Sequence, residues 1–349
     1  MAKTGKIERD LLEELFTQQT GFKNSKVLQG PQFGVDTALI RTGENTGLVT
    51  ASDPTSLVPS LGMKDSAWLS VVLTANDIAT SGFLPQYAQF VFNFSEDLRD
   101  EELNEYWHQI HLFCKGMKIS ITGGHTGFSN KGPTTISGAV TMFSEVKLSL
   151  AKSTVFIKPN QDLILTKTAA LSSAAILAKS FPKHTSLHLG QEMQKDLADS
   201  LYQISVLPEL QILRSDKELF SQISGMHDCT EGGVLGGIYE LCEASETGVE
   251  IHRNKIPLGE AQNQLCQLFD IDPYRCIAAG SLLIACPKEI TKNVVNLLQE
   301  NGIRAGKIGE TLSEKTNRKI ITAKDEEKLI YKEDPYWKAF FNALENRLD

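Results

Sequence analysis

Ala75-Asn76-Asp77-Ile78-Ala79-Thr80-Ser81-Gly82 carries an amide and an acid through a run of small and apolar residues. Residues 65–81 around it are rich in Ala, Ser, Val and Leu, which predicts a buried helix packed on more than one side. Aspartate has poor helix propensity and is costly to bury without a positive partner. A metal ion or a bridged phosphate supplies one, so Asn76 and Asp77 are the first candidate site residues.

Working outward, four more segments set an acid or a small polar group beside glycine or another small residue. They are Gly34-Val35-Asp36-Thr37-Ala38, Ser52-Asp53-Pro54, Gly123-Gly124-His125-Thr126 and His227-Asp228-Cys229-Thr230-Glu231-Gly232-Gly233. Asp36 and Asp53 are each expected at a strand edge beside a turn residue, where an acid alone commonly makes an Asx turn. Taken with Asp77 they offer the several oxygen donors that magnesium draws from separate loops. Gly123 and Gly124 suit either a close approach of backbone amides to a phosphate or a plain tight turn. His125 reads as a ligand, an acid/base group or a hydrogen-bonded turn histidine. Thr230 is a good N-cap and Glu231 an early acid for a helix over 231–246. That same helix start, with Gly232 and Gly233, is also an anion site. Cys229 has no neighbouring base in the sequence except His227.

The net charge of -8, from 35 basic and 43 acidic residues, comes with no sustained basic stripe, which excludes a nucleic-acid partner. No apolar run approaches the roughly 20 residues of a membrane span, and the start shows no apolar signal core. The six cysteines form no Cys-x-x-Cys pair, so neither a structural zinc nor a disulfide framework is expected. A cytosolic location with reduced thiols is the expectation.

Residues 5–17 carry a helical apolar stripe, residues 37–40 and 47–51 read as strands, and 99–117 as an amphipathic helix. Ile119-Ser120-Ile121 leads as a strand into Gly123-Gly124, and 134–143 is a further strand. A change of composition near Lys152–Gln161 sets a domain boundary, giving domains 1–155 and 156–349. The second half shows helices at 170–180, 191–205, 231–246 and 288–301, with strands at 162–168, 281–286, 303–309 and 318–323. Mixed α+β or α/β architecture follows for both domains. The stretches 127–133 and 181–192 read as loops open to specificity roles.

In this order the segments resemble the superfamily of aminoimidazole ribonucleotide (AIR) synthetase, which includes HypE, selenophosphate synthetase and thiamine-monophosphate kinase. Gly5-Lys6-Ile7, Ala75–Gly82, Thr122–Thr126 and Met226–Gly233 look most like the HypE-like, AIR synthase-related group, and the likeness runs from about residue 5 to about residue 325. It implies a two-domain PurM-like fold whose N-terminal domain joins a partner's strands into a barrel, hence a homodimer. It further implies ATP with Mg²⁺. By motif, Asp36, Asp53 and Asp77 would hold the metal, with Asn76 supporting. Gly123, Gly124, His125 and Thr126 would border the phosphates, faced by Asp228, Thr230, Gly232 and Gly233. The implied chemistry is phosphorylation of an amide-like or similar oxygen on a small molecule or a protein tail, with Asp228 and His125 as catalytic candidates. A small-molecule kinase and a non-catalytic nucleotide-binding maturation partner are the alternatives.

Departures from the pattern are specific. Val35-Asp36 stands where relatives often carry paired acids, and His125 where several have Asp or Glu. Cys229 and Glu231 replace the Pro and Arg usual in HypE. The last cysteine is Cys286 and the first Cys114, so neither HypE's C-terminal thiol nor the N-terminal thiol of selenophosphate synthetase is expected here.

Overall fold

The computed structural model describes residues 5–7, 9–130 and 135–348. The chain divides into two compact units, one of Lys26–Gln29 with Thr37–Ala151, the other of the residues up to Ser25, Gly30–Asp36 and Lys152 onward. Composition locates the change near Lys152. It does not reveal that most of the first 36 residues belong with the C-terminal half. Backbone contact explains it: a side chain on Gly34 would meet the Glu240 carbonyl at 2.1 Å, and Thr154 Oγ1 donates to the Gly34 carbonyl at 2.7 Å.

The N-terminal sheet is built from β1 (Val27–Gln29), β2 (Ala38–Arg41), β3 (Thr46–Ser56), β4 (Tyr87–Ser95), β5 (Ser120–Ser129) and β6 (Ile136–Lys147). Their order is β1-β2-β3-β6-β4-β5, with only β4 and β5 parallel. Helix α1 (Gly62–Thr80) follows β3, and α2 (Asp100–Gly116) joins β4 to β5 as a crossover must. Strand period two buries Ala88, Phe90, Phe92 and Phe94 on one face of β4. Helix α2 answers with Tyr106, Ile110 and Cys114 at i, i+4 and i+8, and Tyr106 meets Phe92 edge-on at 5.8 Å. Trp107, expected inward, is 41% exposed.

Two expectations change here. Strand β3 continues through Asp53 to Ser56 instead of ending at Ala51. Pro54 is tolerated because β2 pairs only as far as Thr50, so the missing N–H faces no ladder on that side. The Gly123–Thr126 run lies inside β5, not in a turn after it.

The second sheet holds β7 (Asp162–Thr166), β8 (Gly225–Asp228), β9 (Gly248–His252), β10 (Leu282–Cys286), β11 (Ala305–Leu312), β12 (Arg318–Ile321) and β13 (Glu326–Lys328). The order is β13-β12-β9-β11-β7-β10-β8, antiparallel except β9 with β12. Strands β7 and β10 are buried along their whole length, as continuous apolar strands covered on both faces should be. Helices α3 (Leu171–Ser180), α4 (Pro182–Leu189), α5 (Gln191–Asp199), α6 (Leu207–Ser215), α7 (Lys217–Gln222), α8 (Gly233–Ser245), α9 (Glu260–Leu268), α10 (Thr291–Glu300) and α11 (Pro335–Glu345) complete the unit. Residues 181–190, taken as loop from the sequence, are mostly helix α4. Proline at its first position is preorganised for a helix start, not a break. Of the other expected loop, 127–129 belong to β5, and 131–133 lie outside the described residues. The expected N-terminal helix is Arg9–Leu11 followed by a wider turn over Leu12–Thr17, with no buried residue. Among the described residues no helix is long and apolar enough to cross a membrane.

Candidate functional site

In the N-terminal unit, α1 lies antiparallel on β3. Ser66 Oγ accepts from Val58 N–H at 2.9 Å, and Ser70 Oγ accepts from Ser56 N–H at 2.7 Å. From Ser70 to Asp77 the helix climbs about 10 Å. Three strand residues back from Ser56 span about 10 Å as well, which brings Asp53 level with Asp77. Asp53 also shares the face of β3 on which Val49, Ala51 and Thr55 are buried. Both acids are half-buried, and Asn76 is wholly buried beside them. Hard carboxylate and amide oxygens from two elements are the donor set magnesium takes.

Across the same sheet, Gly123, Gly124, His125 and Thr126 are exposed along β5. They border a cavity of about 620 Å³ whose other walls include Phe90, Phe92, Leu103 and Trp107. The two glycines have different reasons. A side chain at Gly124 would sit 1.7 Å from the Phe90 carbonyl oxygen, so β4 itself requires glycine there. At Gly123 nothing lies within 4 Å, and its φ of 150° is the only local demand for glycine. Gly124 is therefore fixed by packing against β4, and Gly123 leaves open space where a side chain would stand.

In the C-terminal unit, Asp36 belongs to a chain of alternating charge. His227, only 1% exposed, has Nδ1 2.9 Å from Asp36 Oδ2 and Nε2 3.1 Å from Glu240 Oε2. Glu240 Oε1 accepts from Lys6 Nζ at 3.1 Å, and Lys6 Nζ also reaches Thr230 Oγ1 at 3.1 Å. Burial pulls the His227 pKa down, but the Asp36 and Glu240 carboxylates outweigh it and lift it to about 10. Both ring nitrogens then donate, and the ring is an imidazolium. Burial pushes Glu240 up, while Lys6 and His227 overcome it and hold the acid at about 2. Lys6 is raised despite desolvation, by Glu240 and then Asp36. The four charges cancel, which is how the buried His227 and Glu240 are sustained, with Lys6 reaching them from a partly exposed position.

Asp228 ends β8 and is buried beside this cluster in sequence. Thr230 is not the N-cap of the following helix: α8 begins at Gly233 after Gly232, whose φ of 81° needs glycine. The Gly232 N–H donates to Asp334 Oδ2 at 2.8 Å, and Asp334 Oδ1 accepts from Tyr336 N–H at 2.8 Å. One carboxylate thus serves the starts of α8 and α11, and an anion at Gly232 would have to displace it. Burial raises Asp334 to about 7, against the pull of its two backbone donors. Glu231 accepts from Lys6 N–H at 2.6 Å and from Trp337 Nε1 at 3.0 Å, so it is a strap for the N-terminus. Cys229 lies in the apolar core with its thiol pKa pushed well up by burial, which removes it as a nucleophile. All six cysteines are buried and free.

Lys6, Glu240 and Asp334 escaped the sequence reading as site residues. Glu240 had a signal: it sits in Gly233-Val-Leu-Gly-Gly-Ile-Tyr-Glu240, an acid inside a glycine-rich apolar helix, just as Asp77 does. Asp334 had none, because its partner is a backbone amide 102 residues away.

The chain belongs to the AIR synthase related protein family: the N-terminal domain of that family matches residues 34–144 and the C-terminal domain residues 158–321. It is similar to a putative hydrogenase expression/formation protein of Methanocaldococcus jannaschii, 22% identical over 85% of this chain and 84% of the relative. It is also similar to carbamoyl dehydratase HypE of Escherichia coli, 24% identical over 71% of this chain and 70% of that one. Among solved structures, hydrogenase maturation protein HypE in complex with ATP has a TM-score of 0.66 at 18% identity, covering 95% of this chain and 96% of that one. AaThiL complexed with AMPPCP and TMP gives 0.70 at 16% identity, covering 93% and 97%. The fold is the two-domain α+β PurM-like fold.

Proposed function

We propose that this chain is a magnesium- and ATP-dependent enzyme of the AIR synthase-related family that phosphorylates an amide-like or similar oxygen. The observation that carries the reading is the pair of hydrogen bonds that lay the Asp77 helix antiparallel on β3, from which Asp53 and Asp77 would stand level on the helix-covered face. Asp36, Asp53 and Asp77 would hold the metal, and Asn76 would support them. Bound Mg²⁺ supplies charge neutralisation on the transferred phosphoryl group. Asp36 is held by the His227 imidazolium, which fixes the direction of its carboxylate.

Gly123 would present its amide to the phosphates, with Thr126 and His125 beside it on β5. Asp228 would position the acceptor. Thr230, Gly232 and Gly233 would border the phosphates, with the ligand taking the place of Asp334 at the Gly232 N–H. The similarity to HypE with ATP and to a carbamoyl dehydratase supports the nucleotide and the amide-like oxygen. Strand β5 is an edge of its sheet, which supports pairing with a second copy in a homodimeric barrel.

The second reading is phosphoryl transfer to a small molecule that keeps the phosphate. The likeness to a ThiL structure holding AMPPCP and TMP favours it. Phosphorus NMR of a reaction with ATP and candidate acceptors separates the two. Free phosphate with a dehydrated or cyclised acceptor supports the first reading, and a lasting phosphorylated product replaces it with the second. No ATP consumption with any amide, thioamide or alcohol acceptor would count against both.

A further inference from the structure

Helix α4 places His184 and His188 four residues apart, on one face, with ring centroids 4.5 Å apart and planes inclined at 50°. His188 is exposed and His184 half-buried. The Nδ1 of His188 is 2.9 Å from the His184 carbonyl oxygen. A carbonyl only accepts, so Nδ1 carries the proton and Nε2 presents its lone pair outward. This is the backbone tether that metal-bound histidines use to fix tautomer and ring direction. His184 is steadied by Phe269, edge-on at 5.7 Å.

We propose that His184 and His188 form a two-imidazole site for a divalent ion of the nickel, copper and zinc group. The spacing fits the chemistry. Two imidazole nitrogens about 2.1 Å from one ion, bound at a right angle, put their ring centroids roughly 4.5 Å apart. Histidines at i and i+4 of one helix face are also the pair that helical zinc sites employ. His188 lies in the last turn of α4, where the helix dipole favours a cation.

Imidazole prefers these ions to magnesium, so the site is chemically separate from the aspartates assigned above and does not depend on that assignment. Two protein ligands leave the other positions to water or to a donor from a second molecule. Helix α2 supplies a comparison within the same chain. His108 and His111 are three residues apart with centroids at 6.4 Å, too far for two nitrogens bound at a right angle to one ion.

The test is a Cu²⁺ titration of the full chain in excess Mg²⁺, followed by calorimetry and by electron paramagnetic resonance for nitrogen hyperfine structure. One equivalent of Cu²⁺ showing two coupled nitrogens is expected. His188→Gln, at an exposed position, should weaken binding at least about tenfold, since even outer-shell losses cost about 10–100-fold. His184→Ala should do the same, and His108→Ala should change nothing. An unchanged nitrogen signature and affinity in the His188→Gln variant, with its melting curve matching the parent, would overturn the site. So would an equal loss from His108→Ala.

Discussion

The cluster Asp36–His227–Glu240–Lys6 and the strand run Gly123–Thr126 answer opposite demands. In the cluster each charge has a named partner within 3.1 Å and the sum is neutral. On β5 the run is exposed and faces a cavity. The closed cluster holds an acid in one direction, and the open strand leaves room for a ligand beside Gly123.

The sharpest way to break that comparison is at Glu240. Glu240→Ala strips the shared partner of His227 and Lys6 and should cost about 3 kcal/mol in urea denaturation, the low end for breaking a buried pair, because His227 keeps Asp36 and Lys6 is partly exposed. A loss below about 1 kcal/mol would mean that the cluster is not what holds this region. Next comes the pair of glycines. Gly124→Ala drives a methyl into the Phe90 carbonyl and should cost more than about 2 kcal/mol, whereas Gly123→Ala meets only backbone strain of about 1–2 kcal/mol. Equal losses in thermal melts would remove the distinction between packing and open space.

The pH profile sharpens it further. The folded pKa of His227 is raised from 6.5 to about 10, so its contribution is complete below 6.5 and fades as pH rises through about 10. The Glu240 pKa is lowered from 4.5 to about 2, so its contribution is complete above 4.5 and fades as pH falls toward about 2. Denaturation midpoints should therefore fall off at both extremes, and Glu240→Gln should remove the acid limb. Asp334 acts the other way. Its pKa rises from 3.8 to about 7, so its contribution is present below 3.8 and lost as pH rises through about 7. Asp334→Asn should flatten that opposing slope, and an unchanged slope would count against the buried acid as its source.

How much of this was legible beforehand varies with the physics. Asp77 announces itself because an acid inside an apolar helix violates the period, and the same rule, applied to Glu240, would have found it. The apolar runs of β7 and β10 read as strands, whereas β4 escapes the reading although Phe90, Phe92 and Phe94 alternate as a half-buried strand does. Helix α4 falls in a stretch read as loop, although Pro182 is a good first residue for a helix. Thr230 was misread as a cap, since the chain turns left-handed at Gly232 before the helix begins. Asp334 and Lys6 were out of reach: their roles come from meetings more than 100 residues apart.

Isothermal titration of MgATP into the protein and its Asp77→Asn variant tests the central claim most directly. The account predicts a saturable heat that needs Mg²⁺ and is lost in the variant, with both proteins melting alike. Equal heats from the two proteins, or none from the parent chain, would contradict it.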